Sequence, residues 1–130
     1  MIMTTMTSLG RHDRGPTRQG VTIHRDLAAG RWAGMSLAEQ LGNVGSDVGR
    51  AIRARAAGDL ARLDPALDRA LDLLDLTIID PRWNGPRRRE IARAREVVCD
   101  YLVGDNVYGS TDASLEAWFM AFAWSARRNR

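Results

Sequence analysis

The groups able to do acid–base or nucleophilic chemistry are few, and their positions matter more than their number. The only histidines, His12 and His24, both fall within residues 1–30. Histidine titrates nearest neutral pH and is the commonest metal ligand. The rest of the chain therefore offers no histidine for zinc sites, for Ser–His–Asp or Cys–His nucleophiles, or for Glu-x-x-His di-iron sites. The single cysteine, Cys99, has no internal disulfide partner, which suits a reducing cytoplasm; it is expected to be a buried structural residue. No catalytic residue, metal ligand or cofactor is assigned.

Carboxylates and arginines remain. Asp68, Asp72 and Asp75 recur at offsets of four and seven, so they share one side of a helix. Glu96 and Asp100 form a similar pair. Magnesium requires convergent oxygens, and a nucleotide hydrolase built on Asp72, Asp75, Glu96 and Asp100 is the enzymatic alternative. The plainer reading of Asp68, Asp72 and Asp75 is an acidic stripe that pairs with arginines on a neighbouring helix. Every basic residue is arginine, with no lysine at all. Six of them, Arg82, Arg87, Arg88, Arg89, Arg93 and Arg95, crowd the start of one helix, with only Glu90 against them before Glu96. Helix starts favour acids, so the cluster goes against the local preference. Contact with RNA or DNA phosphates is one explanation; pairing with the acidic stripe is the other. Trp83, beside Arg82, could stack on a base or simply pack.

Four helices are expected to position these groups. The first runs from Leu37 to about Ala57, with a Ser36–Glu39 capping box and a stripe of Leu37, Leu41, Val44, Val48 and Ile52. The second is expected to start at Pro65 with Asp64 as its cap and to end at Asp80-Pro81. The third runs from Arg87 to Val103, with Ile91, Ala94, Val97, Val98, Tyr101 and Leu102 inward. The fourth, capped by Ser110 or Thr111, runs to about Arg127 behind Leu115, Trp118, Phe119, Phe122 and Ala126. No strand-like alternation is present. The expected fold is all-α: a four-helix bundle domain over residues 31–130 behind a flexible, basic N-terminal arm, residues 1–30. Trp32 is a candidate to pack back on the bundle. The arm holds Arg11, Arg14, Arg18 and Arg25 against Asp13 and Asp26. It thus carries +2 of the formal +3, so the domain itself is nearly neutral. No apolar run is long enough for a membrane span, and the N-terminus lacks the apolar core of a secretory signal.

Two features point to contacts beyond a simple bundle. A bundle helix needs one apolar stripe, yet the fourth helix also has Met120 and Trp124 on its back, a patch that would be costly to expose. The expectation is that another subunit or partner covers it, with the arm around Trp32 or the loop with Trp83 as alternatives. On the first helix, Gly42, Gly45 and Gly49 share a stripe. Each costs about 1 kcal/mol against alanine, which suggests close approach of a neighbouring helix, with a bulky aromatic from the fourth helix in the groove. The interface candidates are therefore Trp118, Met120, Trp124 and the three glycines.

The run Arg95-Glu96-Val97-Val98-Cys99-Asp100-Tyr101 resembles the Arg-to-His motif of HEPN ribonucleases, which are small, dimerising helical bundles. Asp100 stands where that family has its histidine, so the resemblance implies at most a catalytically inactive relative. The leading expectation is a non-enzymatic, self-associating accessory or interaction module in the cytoplasm. It would form a homo-oligomer or dock on a larger protein within a complex that handles RNA or DNA; a purely structural protein-binding module is a further alternative.

Overall fold

The computed structural model describes residues 30–128. The chain divides into two units, residues 1–34 and 35–130. The arm expected over residues 1–30 lies outside the described residues apart from Gly30; in the first unit the Gly34 amide donates to the Arg31 carbonyl at 3.1 Å.

The second unit contains four long helices: α1 (Leu37–Ala56), α2 (Leu60–Ile78), α3 (Pro86–Leu102) and α4 (Asp112–Arg128), with a 3-10 turn at Pro81–Trp83. No strand occurs among the described residues. The capping box of α1 forms as its sequence implies: the Glu39 amide donates to Ser36 Oγ at 3.1 Å, and the Ser36 amide to Glu39 Oε1 at 2.9 Å. The start of α2 differs from expectation. It begins at Leu60, with Asp59 accepting from the Arg62 amide at 3.2 Å, and Pro65 lies inside the helix. Proline is favoured at the first helical position, but Asp59, six residues before Pro65, supplies the cap. Pro65 sits early enough that only the bond to the Ala61 carbonyl is lost. The earlier start places Leu63 in the core. At α4, Thr111 and Ser114 cap each other: the Ser114 amide donates to Thr111 Oγ1 at 3.0 Å and the Thr111 amide to Ser114 Oγ at 2.9 Å.

Helix α1 is the hub of the bundle. It packs against α2 and α4 and also touches α3, while α3 rests on α2. The core is made of Leu41, Val44, Val48, Ala51 and Ile52 of α1, Leu67, Ala70 and Leu74 of α2, Ile91 and Val98 of α3, and Leu115 and Phe119 of α4, all buried. Each fully buried large side chain contributes about 1.5–3 kcal/mol, so these four stripes hold the fold together. Among the described residues, no helix is long and apolar enough to cross a membrane.

Candidate interaction surface

The seating of α4 on α1 depends on two glycines. A Cβ on Gly45 would lie 2.6 Å from Phe119 Cβ, and one on Gly42 would lie 3.2 Å from Ala123 Cα. Phe119 therefore sits over bare α1 backbone and is almost wholly buried. The close approach inferred from the glycine stripe is real at Gly42 and Gly45, and its beneficiary is α4 of the same chain. Gly49 does not take part: a Cβ there would meet only the Arg53 guanidinium, at 3.3 Å.

Because one side of α4 faces α1, its other side faces outward. Met120 is 53% and Trp124 55% exposed. They lie one turn apart with Ala113, Ala117 and Ala121, all exposed, in the same stripe. The Arg127 guanidinium sits 5.6 Å from the Trp124 ring. Isolated exposed apolar residues are ordinary; a stripe sharing one helix face is a patch. Trp83 does not cover it. Its indole Nε1 donates to Gln40 Oε1 at 2.8 Å, and the Arg82 guanidinium lies 4.5 Å from its ring. Trp118 is half-buried on the other side of α4, packed edge-on to Phe119 with ring centroids 4.9 Å apart. It lines a groove of about 310 Å³ with Ala94, Val97, Leu115 and Phe119, rimmed by Glu90, Arg93, Ser110 and Ser114. The groove runs between α3 and α4, while α4 packs chiefly on α1.

The arginine cluster is largely engaged within the chain. Asp80 is 7% exposed and organises much of it. The Arg82 Nη2 donates to Asp80 Oδ2 at 2.8 Å, the fully buried Gln40 Nε2 donates to the same oxygen at 3.2 Å, and Arg88 Nη2 donates to the Asp80 carbonyl at 3.0 Å. The hydrogen bonds from Arg82 hold the Asp80 carboxyl down at about 2. The Arg88 Nε is buried with no hydrogen-bond acceptor among the described residues. Arg95 Nε donates to Asp75 Oδ1 at 2.7 Å, which realises the pairing of α3 with the acidic stripe of α2. Arg93 stacks 5.4 Å from the Tyr108 ring. Arg87 and Arg89 are exposed, with Arg87 5.8 Å from the Trp83 ring.

The carboxylates do not converge. No group of three or more His, Cys, Asp or Glu side chains among the described residues could hold a metal ion. Asp75 serves Arg95, while Asp100 accepts from the Val107 amide at 2.8 Å and the Tyr108 amide at 3.1 Å. Thus Arg95 and Asp100, the residues of the HEPN-like run, both act in packing. The loop after α3 is fixed further by Asn106, whose side chain exchanges two hydrogen bonds with the Ser110 backbone, at 2.8 and 3.0 Å. Asn106 has φ 55° and Gly109 φ 67°, conformations that asparagine and glycine tolerate. Tyr101 donates its hydroxyl to Asp112, and Arg55 lies 4.3 Å from its ring, so the start of α4 is tied to α3 and α1. Asp112 raises the Tyr101 pKa, chiefly through that hydrogen bond.

The burial of three polar side chains, Gln40, Asp80 and Asp47, has no signal in the sequence. Gln40 and Asp80 stand forty positions apart, and only the fold brings them together. Asp47 is 5% exposed in α1. Burial raises its carboxyl pKa against the opposing pull of Arg69 and Arg50, the latter donating at 2.7 Å. Comparison of the chain with family models, with curated proteins and with solved structures gives no match.

Proposed function

We propose that this protein is a non-enzymatic helical interaction module that self-associates, using the outer face of α4 as its contact surface. The observation that carries this reading is the exposure of Met120 and Trp124 on one continuous, mostly apolar stripe of a helix whose inner side is already packed on α1. Tryptophan and methionine are enriched in interface cores. Of the carboxylates of the hydrolytic alternative, Asp75 pairs with Arg95 and Asp100 accepts from two loop amides, which supports a binding role over a hydrolytic one.

Nucleic acid is the less favoured partner. Arg82, Arg88 and Arg95 donate to acceptors within the chain, which leaves Arg87, Arg89 and Arg93 for phosphate contact. The test compares two variants of the full chain by light scattering. Trp124→Asp is expected to reduce the mass to one chain with helix content unchanged by circular dichroism. Arg87→Glu combined with Arg89→Glu is expected to leave the mass as in wild type. The reading fails if Trp124→Asp leaves the mass unaltered. A mass shift on adding duplex or single-stranded nucleic acid, lost in the Arg87/Arg89 variant, would instead favour the phosphate-binding role.

A further inference from the structure

The outer stripe of α4 is graded in both charge and size. Glu116 lies near its start and Arg127 near its end, both exposed. Eleven residues are about three turns, so the two side chains project within about 20° of each other. Ala117 and Trp124, seven residues apart, also project within about 20°, on the other edge of the stripe. One edge therefore reads acid, Met120, base; the other reads small, then large.

Symmetry decides which partner such a surface fits, because a two-fold contact uses the same patch on both copies. In a parallel pair, equal residues meet at equal height: Trp124 meets Trp124, and Arg127 and Arg128 gather with their copies. In an antiparallel pair, each edge meets the same edge running the other way. An axis between Met120 and Ala121 then sets Trp124 over Ala117 of the second copy. It also places Arg127 two residues, about 3 Å along the helix, from Glu116 of the second copy. Large faces small and base faces acid, twice over.

We propose that the protein forms a two-fold dimer in which α4 packs antiparallel on α4 of a second copy, with Trp124 on Ala117 and Arg127 paired with Glu116 across the axis. This geometry rests on the self-association reading above. The stripe measures roughly 25 Å by 10 Å, small beside the roughly 800 Å² per partner of a standard interface. The dimer is accordingly weak, and its dissociation constant falls in the micromolar range or above.

Crosslinking of the full chain in a Cys99→Ser background tests the geometry. A disulfide requires Cα atoms within about 7 Å. Met120→Cys lies beside the axis and is expected to crosslink to its copy under mild oxidation. Ala113→Cys lies roughly 22 Å from its copy and is expected not to. If both crosslink, the helices are parallel and the proposal is overturned. If neither does while light scattering shows a dimer, the geometry is wrong and self-association stands. A single-chain mass at every concentration overturns both. The charge pairing has its own test: Glu116→Arg and Arg127→Glu are each expected to weaken the dimer about tenfold, and the two together to restore most of that loss. A combined variant no tighter than either single one rules out the pairing.

Discussion

Replacing Gly45 by alanine measures how closely α4 is seated on α1. The added Cβ would lie 2.6 Å from Phe119 Cβ and 3.3 Å from its Cγ, where relaxed carbon contacts lie at about 3.5–4.0 Å. Phe119 Cβ is bonded to the backbone of α4, so no rotamer change moves it away; α4 itself must retreat by about 1 Å. Overpacking of this kind costs about 1–3 kcal/mol, and a contact anchored to backbone belongs at the upper end. Alanine returns about 1 kcal/mol in helix propensity. The net loss is about 2 kcal/mol, or roughly 10 °C in Tm for a domain of this size. Two neighbouring glycines calibrate the result. Gly42→Ala meets Ala123 Cα at 3.2 Å, so strain and propensity nearly cancel, to within about 0.5 kcal/mol. Gly49→Ala meets only the mobile end of Arg53 and is expected to stabilise by about 0.5–1 kcal/mol. Thermal or urea unfolding of the three variants reads the order directly. A Gly45→Ala protein that melts at or above wild type would refute the reasoning about how α4 is held.

Other consequences follow from the buried polar groups. Asp80 has a folded pKa of about 2 against an ordinary 3.8, so its stabilisation is present above the ordinary value and is lost as pH falls toward 2. The full drop corresponds to about 2 kcal/mol. Because Arg82 is 40% exposed, solvent screening reduces it to about 1 kcal/mol. Asp80→Asn should therefore be less stable by about that amount in urea at pH 7, and the difference should shrink steadily as pH falls toward 2. Asp47 has the opposite sign: its carboxyl is raised by burial, so stability contributed there grows as pH falls through its folded pKa, and Asp47→Asn should lose that acid-side gain. Asp100→Ala removes the acceptor for the Val107 and Tyr108 amides and should speed their hydrogen exchange about tenfold, with little change in the exchange of α1.

Local signals carried the fold further than they carried the surface. The capping box at Ser36, the stripe through Leu41 and Val48, and the close approach of α4 at Gly42 and Gly45 are consequences of short-range patterning, and they appear where the spacing places them. The start of α2 was misread because two aspartates, Asp59 and Asp64, both suit a cap, and the proline preference favoured the wrong one. The arginine cluster was readable as a local excess of charge, but its meaning depends on residues far away in the chain. Asp75 reaches Arg95 from twenty positions away, and Gln40 reaches Asp80 from forty. No local pattern encodes such pairs, so the cluster looked freer than it is. The back of α4 was visible as an apolar surplus, and it remains exposed after the rest of the unit has packed. Gly49 shows the limit of a stripe argument: it shares a helix face with Gly45, yet only its own turn lies above it.

Sedimentation equilibrium of the unmodified full chain, over concentrations from low micromolar to millimolar, tests the central claim most directly. If the outer face of α4 is a self-association surface, the mass rises with concentration from one chain toward two, and Trp124→Asp holds it at one. A mass of one chain throughout, or a rise that Trp124→Asp leaves unchanged, would contradict it.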